Sequence, residues 1–156
     1  MREIVRHKTR KGKPLYITMS STATYETTQM TDTDRAKRSV LVVEDDPGIL
    51  RQIAFNLESH GYAVETAMTG LQALKKLMQR RPDLLITDVM MPEMDGNELV
   101  SSVRADADLA DLPIIMLTAR SQDEDMMQGY HSGTDLYLTK PFNPAELVNF
   151  VKRILG

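Results

Sequence analysis

The chain has 156 residues, enough for one domain with its own hydrophobic core. It has no Cys, which excludes disulfide staples, thiolate metal sites and a Cys nucleophile. No apolar run approaches the roughly 20 residues needed to cross a bilayer, and no apolar stretch follows the basic N-terminus as in a signal peptide. A cytoplasmic chain without a membrane span is therefore expected. The formal charge of −3 is unevenly spread: residues 1–38 hold nine Lys/Arg against four Asp/Glu, and residues 39–156 hold ten against eighteen. A globular part this acidic is a poor partner for nucleic acid, so no direct nucleic-acid contact is expected. The basic part reads as a soluble extension.

Residues 1–38 differ in character from the rest. Residues 4–9, the turn Lys11-Gly12-Lys13-Pro14 and the alternating residues 15–20 predict a hairpin. A Thr- and Ser-rich stretch short of large apolar residues follows and reads as a linker. Charged strand, glycine turn and alternating strand together faintly resemble the last hairpin of a PAS sensor domain. This keeps open a reading of the chain as a fragment of a larger sensor kinase.

From Val40 onward, apolar runs alternate with helical patterns. Residues 40–43 form the first such run. Asp46-Pro47 then supplies an N-cap and a first-turn proline for a helix with Ile49, Ile53 and Leu57 at spacing four, closed by Gly61. Residues 62–67 predict a second strand. Thr69-Gly70 opens a helix whose inner face is expected to hold Leu71, Leu74, Leu77 and Met78, ending at Pro82. Residues 84–87 are a third strand, residues 97–104 a helix, and residues 113–117 a fourth strand. A weak helix over 123–131, a fifth strand at 136–139, and a last helix opened by Asn143-Pro144 complete the pattern. That last helix carries the stripe Leu147, Val151, Ile154 and Leu155. Five βα units in sequence predict an α/β domain over residues 39–156. It is a doubly wound, five-stranded parallel sheet of flavodoxin-like topology.

In such sheets ligands bind beyond the carboxyl ends of the strands. Glu44-Asp45-Asp46, Asp88, Thr118 and Lys140-Pro141 each follow an apolar run, so these side chains should meet at one edge. Clustered carboxylates suit a hard divalent cation such as Mg²⁺. A Lys and a hydroxyl beside them suit a phosphoryl group. The three His are scattered and are read as structural.

The segments VLVVEDD, LLITDVMMPEMDG, IIMLTA and YLTKPF, in this order and spacing, resemble the receiver domain of two-component response regulators, of the stand-alone type. The resemblance implies that Asp88 accepts a phosphoryl group from a sensor histidine kinase or histidine phosphotransfer protein. It implies that Glu44, Asp45, Asp88 and the backbone carbonyl of Met90 hold Mg²⁺, and that Lys140 pairs with the phosphoryl oxygens. Thr118 would be the switch hydroxyl and Tyr137 the aromatic switch, turning inward on phosphorylation. The surface read by an unidentified downstream protein would then change. Lys140-Pro141 would be a cis peptide. The receiver would catalyse only its own phosphorylation and dephosphorylation. Ser132-Gly133-Thr134-Asp135 departs from the family's usual Gly-Ala, which suggests altered packing there. Arg120 and Met90 would flank the pocket. A Mg²⁺-dependent phosphatase of the haloacid-dehalogenase type would need a second Asp two places after the nucleophile, and Met90 stands there instead. An inert adaptor would be expected to lack one of Asp88, Lys140 or the acidic pair, and all are present.

Overall fold

The computed structural model describes residues 4–8, 14–18, 37–119 and 133–156. The chain divides into two compact units, Met1–Ala36 and Lys37–Gly156. In the first unit, β1 (Ile4–Lys8) and β2 (Pro14–Thr18) pair antiparallel, with Val5 opposite Ile17 and Arg6 opposite Tyr16. The second unit contains β3 (Ser39–Val43), α1 (Pro47–Ser59), β4 (Ala63–Ala67), α2 (Gly70–Gln79) and β5 (Leu84–Asp88). It continues through α3 (Gly96–Ala105), β6 (Ile114–Ala119), β7 (Leu136–Lys140) and α4 (Pro144–Leu155). The helix expected over 123–131 lies outside the described residues. Among these residues no helix is long and apolar enough to cross a membrane.

All pairings in the five-stranded sheet are parallel, in the order β4-β3-β5-β6-β7. The fold is the doubly wound, flavodoxin-like arrangement. Strand β5 is central and buried at every position, as a strand covered on both faces must be. Residues of alternate parity enter two separate apolar layers. Val40, Val42, Ile86 and Leu117 join Ile53 and Leu57 of α1 and Leu147 and Val151 of α4. Leu41, Val43 and Leu85 join Leu77 of α2 and Leu99 and Val103 of α3 on the other face.

The helix starts follow the local chemistry. The Asp46 carboxylate accepts from the backbone N–H of Gly48 at 2.8 Å and of Ile49 at 3.1 Å, and Pro47 occupies the first turn. Asn143 accepts from Ala145 N–H at 2.9 Å ahead of Pro144. Each such cap satisfies N–H groups that the helix leaves without partners.

The inner face of α2 differs from expectation. Gly70, Ala73 and Leu77 are its buried residues, while Leu71 is 51% and Met78 63% exposed. The reason is close approach. A Cβ on Gly70 would lie 2.7 Å from the Met94 carbonyl oxygen, so Gly70 faces the β5–α3 loop and, with Leu77 buried and Leu74 packed against the core as expected, Leu71 and Met78 turn outward. Leu77→Ala is expected to cost about 2–5 kcal/mol in urea unfolding, and Leu71→Ala less than about 0.5 kcal/mol. Equal losses would place the helix face wrongly.

Candidate functional site

The strand order reverses between β3 and β5: from β3 the chain steps outward to β4, then returns to β5 on the other side. A crevice opens at the carboxyl ends there, which is where such sheets bind ligands. Register brings the polar residues to the same edge. Val43 lies opposite Thr87, Asp88 opposite Leu117, and Ala119 opposite Lys140. Glu44 follows β3, with its N–H held by the Ala67 carbonyl at 3.1 Å. Asp88 ends β5, Thr118 lies in β6 beside it, and Lys140 ends β7 one strand further out.

Reaching across that extra strand, Lys140 closes the pocket. Its Nζ donates to Glu44 Oε1 and Oε2 at 3.1 and 3.0 Å and to Asp88 Oδ2 at 3.1 Å. The Lys140–Pro141 peptide is cis. Burial leaves Glu44 1% and Asp88 6% exposed, whereas Asp45 is open to solvent. Burial pushes the Glu44 carboxyl up to about 7, and the Asp88 charge adds to that against the opposing pull of Lys140. For Lys140, burial favours the neutral amine. The hydrogen bond to Glu44 and the Asp88 charge outweigh it, so its pKa stands above the ordinary lysine value.

One carboxylate oxygen each from Glu44, Asp45 and Asp88 lie within 4.8 Å of one another. An all-oxygen donor set with one solvent-facing member fits a hard divalent cation that keeps some of its water. A single ammonium divided between two buried acids is also consistent with room for further positive charge.

The loop after β5 returns sharply. Gly96 N–H donates to the Val89 carbonyl at 2.8 Å, and a Cβ on Gly96 would lie 2.3 Å from the Asp88 carbonyl oxygen. Met90 on this loop is largely exposed. Thr118 is fully buried, with its hydroxyl donating weakly to the Ala119 carbonyl at 3.4 Å. Tyr137 is buried to 8% exposure within the layer under α2 and α3, so the ring already lies inward instead of waiting half-buried on an edge strand. Arg120 lies outside the described residues. Of the histidines, His60 has a described side chain, and its Nδ1 meets the Asn56 carbonyl at 2.7 Å at the end of α1.

Residues 40–152 match the family described as the response regulator receiver domain. The chain belongs to this family. It is therefore a receiver of two-component phosphorelay signalling. It is 40% identical over 116 residues to the DNA-binding dual master transcriptional regulator RpaA of Synechocystis sp., covering 74% of this chain and 48% of that protein. It is 42% identical over 118 residues to the alkaline phosphatase synthesis transcriptional regulatory protein PhoP of Bacillus subtilis, covering 76% and 48%. The chain thus spans about half the length of the curated relatives it matches. Among solved structures, the chemotaxis response regulator CheY4 of Vibrio cholerae superposes with a TM-score of 0.72 at 38% identity, covering 76% of this chain and 99% of that one. The receiver domain of the sensor histidine kinase PA1611 of Pseudomonas aeruginosa, solved with a magnesium ion coordinated in its active-site cleft, gives 0.72 at 34% identity, covering 78% and 100%.

Sequence reasoning missed the Arg104 guanidinium, which sits away from the receiver's acidic pocket and ties α3 to the entry of β7. Its only sequence signal was the Gly133-Thr134-Asp135 departure already noted. Thr134 there is buried.

Removing the ammonium should leave two buried carboxylates facing each other. With divalent cations chelated, Lys140→Ala is expected to lose about 1–3 kcal/mol of unfolding free energy, less than for a fully buried pair because Lys140 is partly exposed. Asp45→Asn should unfold no earlier than the parent under the same conditions. A chemically denatured Lys140→Ala with the parent's midpoint would contradict the described pairing.

Proposed function

We propose that Asp88 is the phosphoacceptor of a histidine-to-aspartate transfer and that the receiver then switches its surface for a separate output protein. The observation that supports this reading is a buried carboxylate at the end of the central strand, 3.1 Å from Lys140 Nζ and grouped with Glu44 and Asp45. The donor is a sensor histidine kinase or a histidine phosphotransfer protein, and the setting is the cytoplasm.

An Asp88 oxygen attacks the phosphorus of phosphohistidine. The new O–P bond forms as the P–N bond breaks, and the leaving imidazole takes up a proton. Anionic nucleophile and anionic phosphoryl group repel, so positioning and charge neutralisation supply most of the catalysis. Lys140 can turn from the carboxylates to the phosphoryl oxygens without leaving the pocket. Mg²⁺, held by Glu44, Asp45, Asp88 and the Met90 backbone carbonyl, would supply the remaining neutralisation when bound. The chain acts on no other substrate in this reading and catalyses only its own phosphorylation and hydrolysis.

Thr118, one residue beyond the acceptor's partner Leu117 on the adjacent strand, is the switch hydroxyl. A hydrogen bond from it to a phosphoryl oxygen is worth on the order of 1.5–3 kcal/mol, enough to shift a two-state equilibrium roughly ten- to a hundredfold. Since Tyr137 is already inward, phosphorylation holds the ring there instead of bringing it in. A second reading, a receiver module within a larger sensor kinase, is favoured by its likeness to receiver domains of sensor histidine kinases.

Incubation with a small phosphodonor and Mg²⁺ should give one acid-stable, base-labile acyl phosphate. Asp88→Asn should abolish it. Asp45→Ala should need far more Mg²⁺ for the same yield. Thr118→Ala should accept phosphate but lose the accompanying NMR shifts at Tyr137. Labelling that persists in Asp88→Asn overturns the assignment, and equal Tyr137 shifts in Thr118→Ala overturn the coupling.

A further inference from the structure

Outside the acidic pocket, the most fully connected side chain among the described residues is Arg104, in the last turn of α3. A guanidinium has five N–H donors in a fixed planar fork. Here they make five hydrogen bonds. Nε and Nη2 reach the Gly133 carbonyl at 2.9 and 2.6 Å. Nη1 reaches the Ala110 and Leu112 carbonyls at 2.9 and 2.7 Å. Nη2 also meets Asp135 Oδ2 at 3.2 Å. That same carboxylate oxygen accepts from Ile114 N–H at 2.8 Å, and Asp135 N–H donates to the Ile114 carbonyl at 3.0 Å. One side chain therefore joins the end of α3, the entry to β6 and the entry to β7.

Two further facts give this latch a direction. Gly133 has φ +97°, a conformation that favours glycine, and its Cα sits against the Arg104 side chain, where a Cβ would lie 2.9 Å from Nε. Asp135 directly precedes β7 and lies two residues before Tyr137. Tyr137 joins the layer that includes Leu99 and Val103 of α3, the helix that carries Arg104. Holding Gly133 and Asp135 against the end of α3 thus fixes how the chain enters β7, two residues before the ring that packs under the same helix.

We propose that Arg104 is a positioning residue that holds the Tyr137 ring inward before any phosphoryl group arrives, biasing the receiver toward its inward-ring state. The placement follows from the latch itself. That the ring responds to phosphorylation rests on the function proposed above. Lys has three donors on a single atom and cannot reproduce the fork, so Arg104→Lys should behave as a loss.

The test uses full-length protein labelled with 3-fluorotyrosine, with the Tyr137 resonance identified by its absence in Tyr137→Phe. The readout is the solvent-isotope shift of that resonance, which reports exposure of the ring. Arg104→Gln, Arg104→Lys and Gly133→Ala should each raise it severalfold, and Arg104→Gln with Gly133→Ala together should raise it no further than either alone. Leu57→Ala, which opens the opposite layer, should lower stability and leave the shift unchanged. Acyl phosphate yield at Asp88 should be the parent's in Arg104→Gln. Adding phosphodonor to that variant should return the shift toward the parent value. An unchanged shift in both Arg104→Gln and Gly133→Ala overturns the inference, as does an equal rise in Leu57→Ala. A raised shift that ignores phosphorylation leaves Arg104 in its role and overturns the switch reading instead.

Discussion

A single ammonium held between two buried carboxylates organises the carboxyl edge of this domain. Lys140 reaches Glu44 and Asp88 because the parallel strands present their carboxyl ends along one edge and because the strand order reverses between β3 and β5. The sheet thus gathers three acids and one base that are far apart in the chain. Each carboxylate gains from the ammonium, yet the positive charge is shared between them, and burial keeps Glu44 near 7. A pocket in this condition is held together by attraction to cations, and a phosphoryl group offers new oxygens to the same lysine.

The rest of the structure serves that edge from below. Both faces of the sheet are covered, so the central strand is buried throughout, running from Leu84, Leu85 and Ile86 through Thr87 to Asp88. Burial of the strand up to its end is what desolvates the acceptor. Gly96 and Gly70 then allow the loop after β5 to fold close over the strand end and against α2. Small residues at these two contacts do for the site what large ones do for the core. They let backbone approach backbone, which fixes the loop expected to contribute a carbonyl from Met90.

Much of this was legible in the sequence. Parallel strands buried on both faces read as continuous apolar runs, so strand positions and the polar residues that end them stood out. The caps at Asp46 and Asn143 stood out as well. Legibility failed where one element's face depends on another's backbone. The inner face of α2 was read as Leu71, Leu74, Leu77 and Met78; Leu74 and Leu77 do pack inward, but Gly70 against the loop leaves Leu71 and Met78 outside. The burial of Tyr137 was hidden because an edge-strand position says nothing of the helix above it. The Arg104–Asp135 pair was hidden because its members lie 31 residues apart with no periodic pattern linking them. Hydrogen bonds from Arg104 to carbonyls of Gly133, Ala110 and Leu112 leave no mark on side-chain composition at all.

The central claim is that chemistry happens at one oxygen-bearing side chain among several that are close together. Borohydride reduces an aspartyl phosphate to homoserine while leaving free carboxylates intact. Peptide mass spectrometry of the phosphodonor-treated, reduced protein should find homoserine at position 88 and unaltered Glu44, Asp45 and Asp46. Reduction at any of those three residues, with Asp88 intact, would contradict the account.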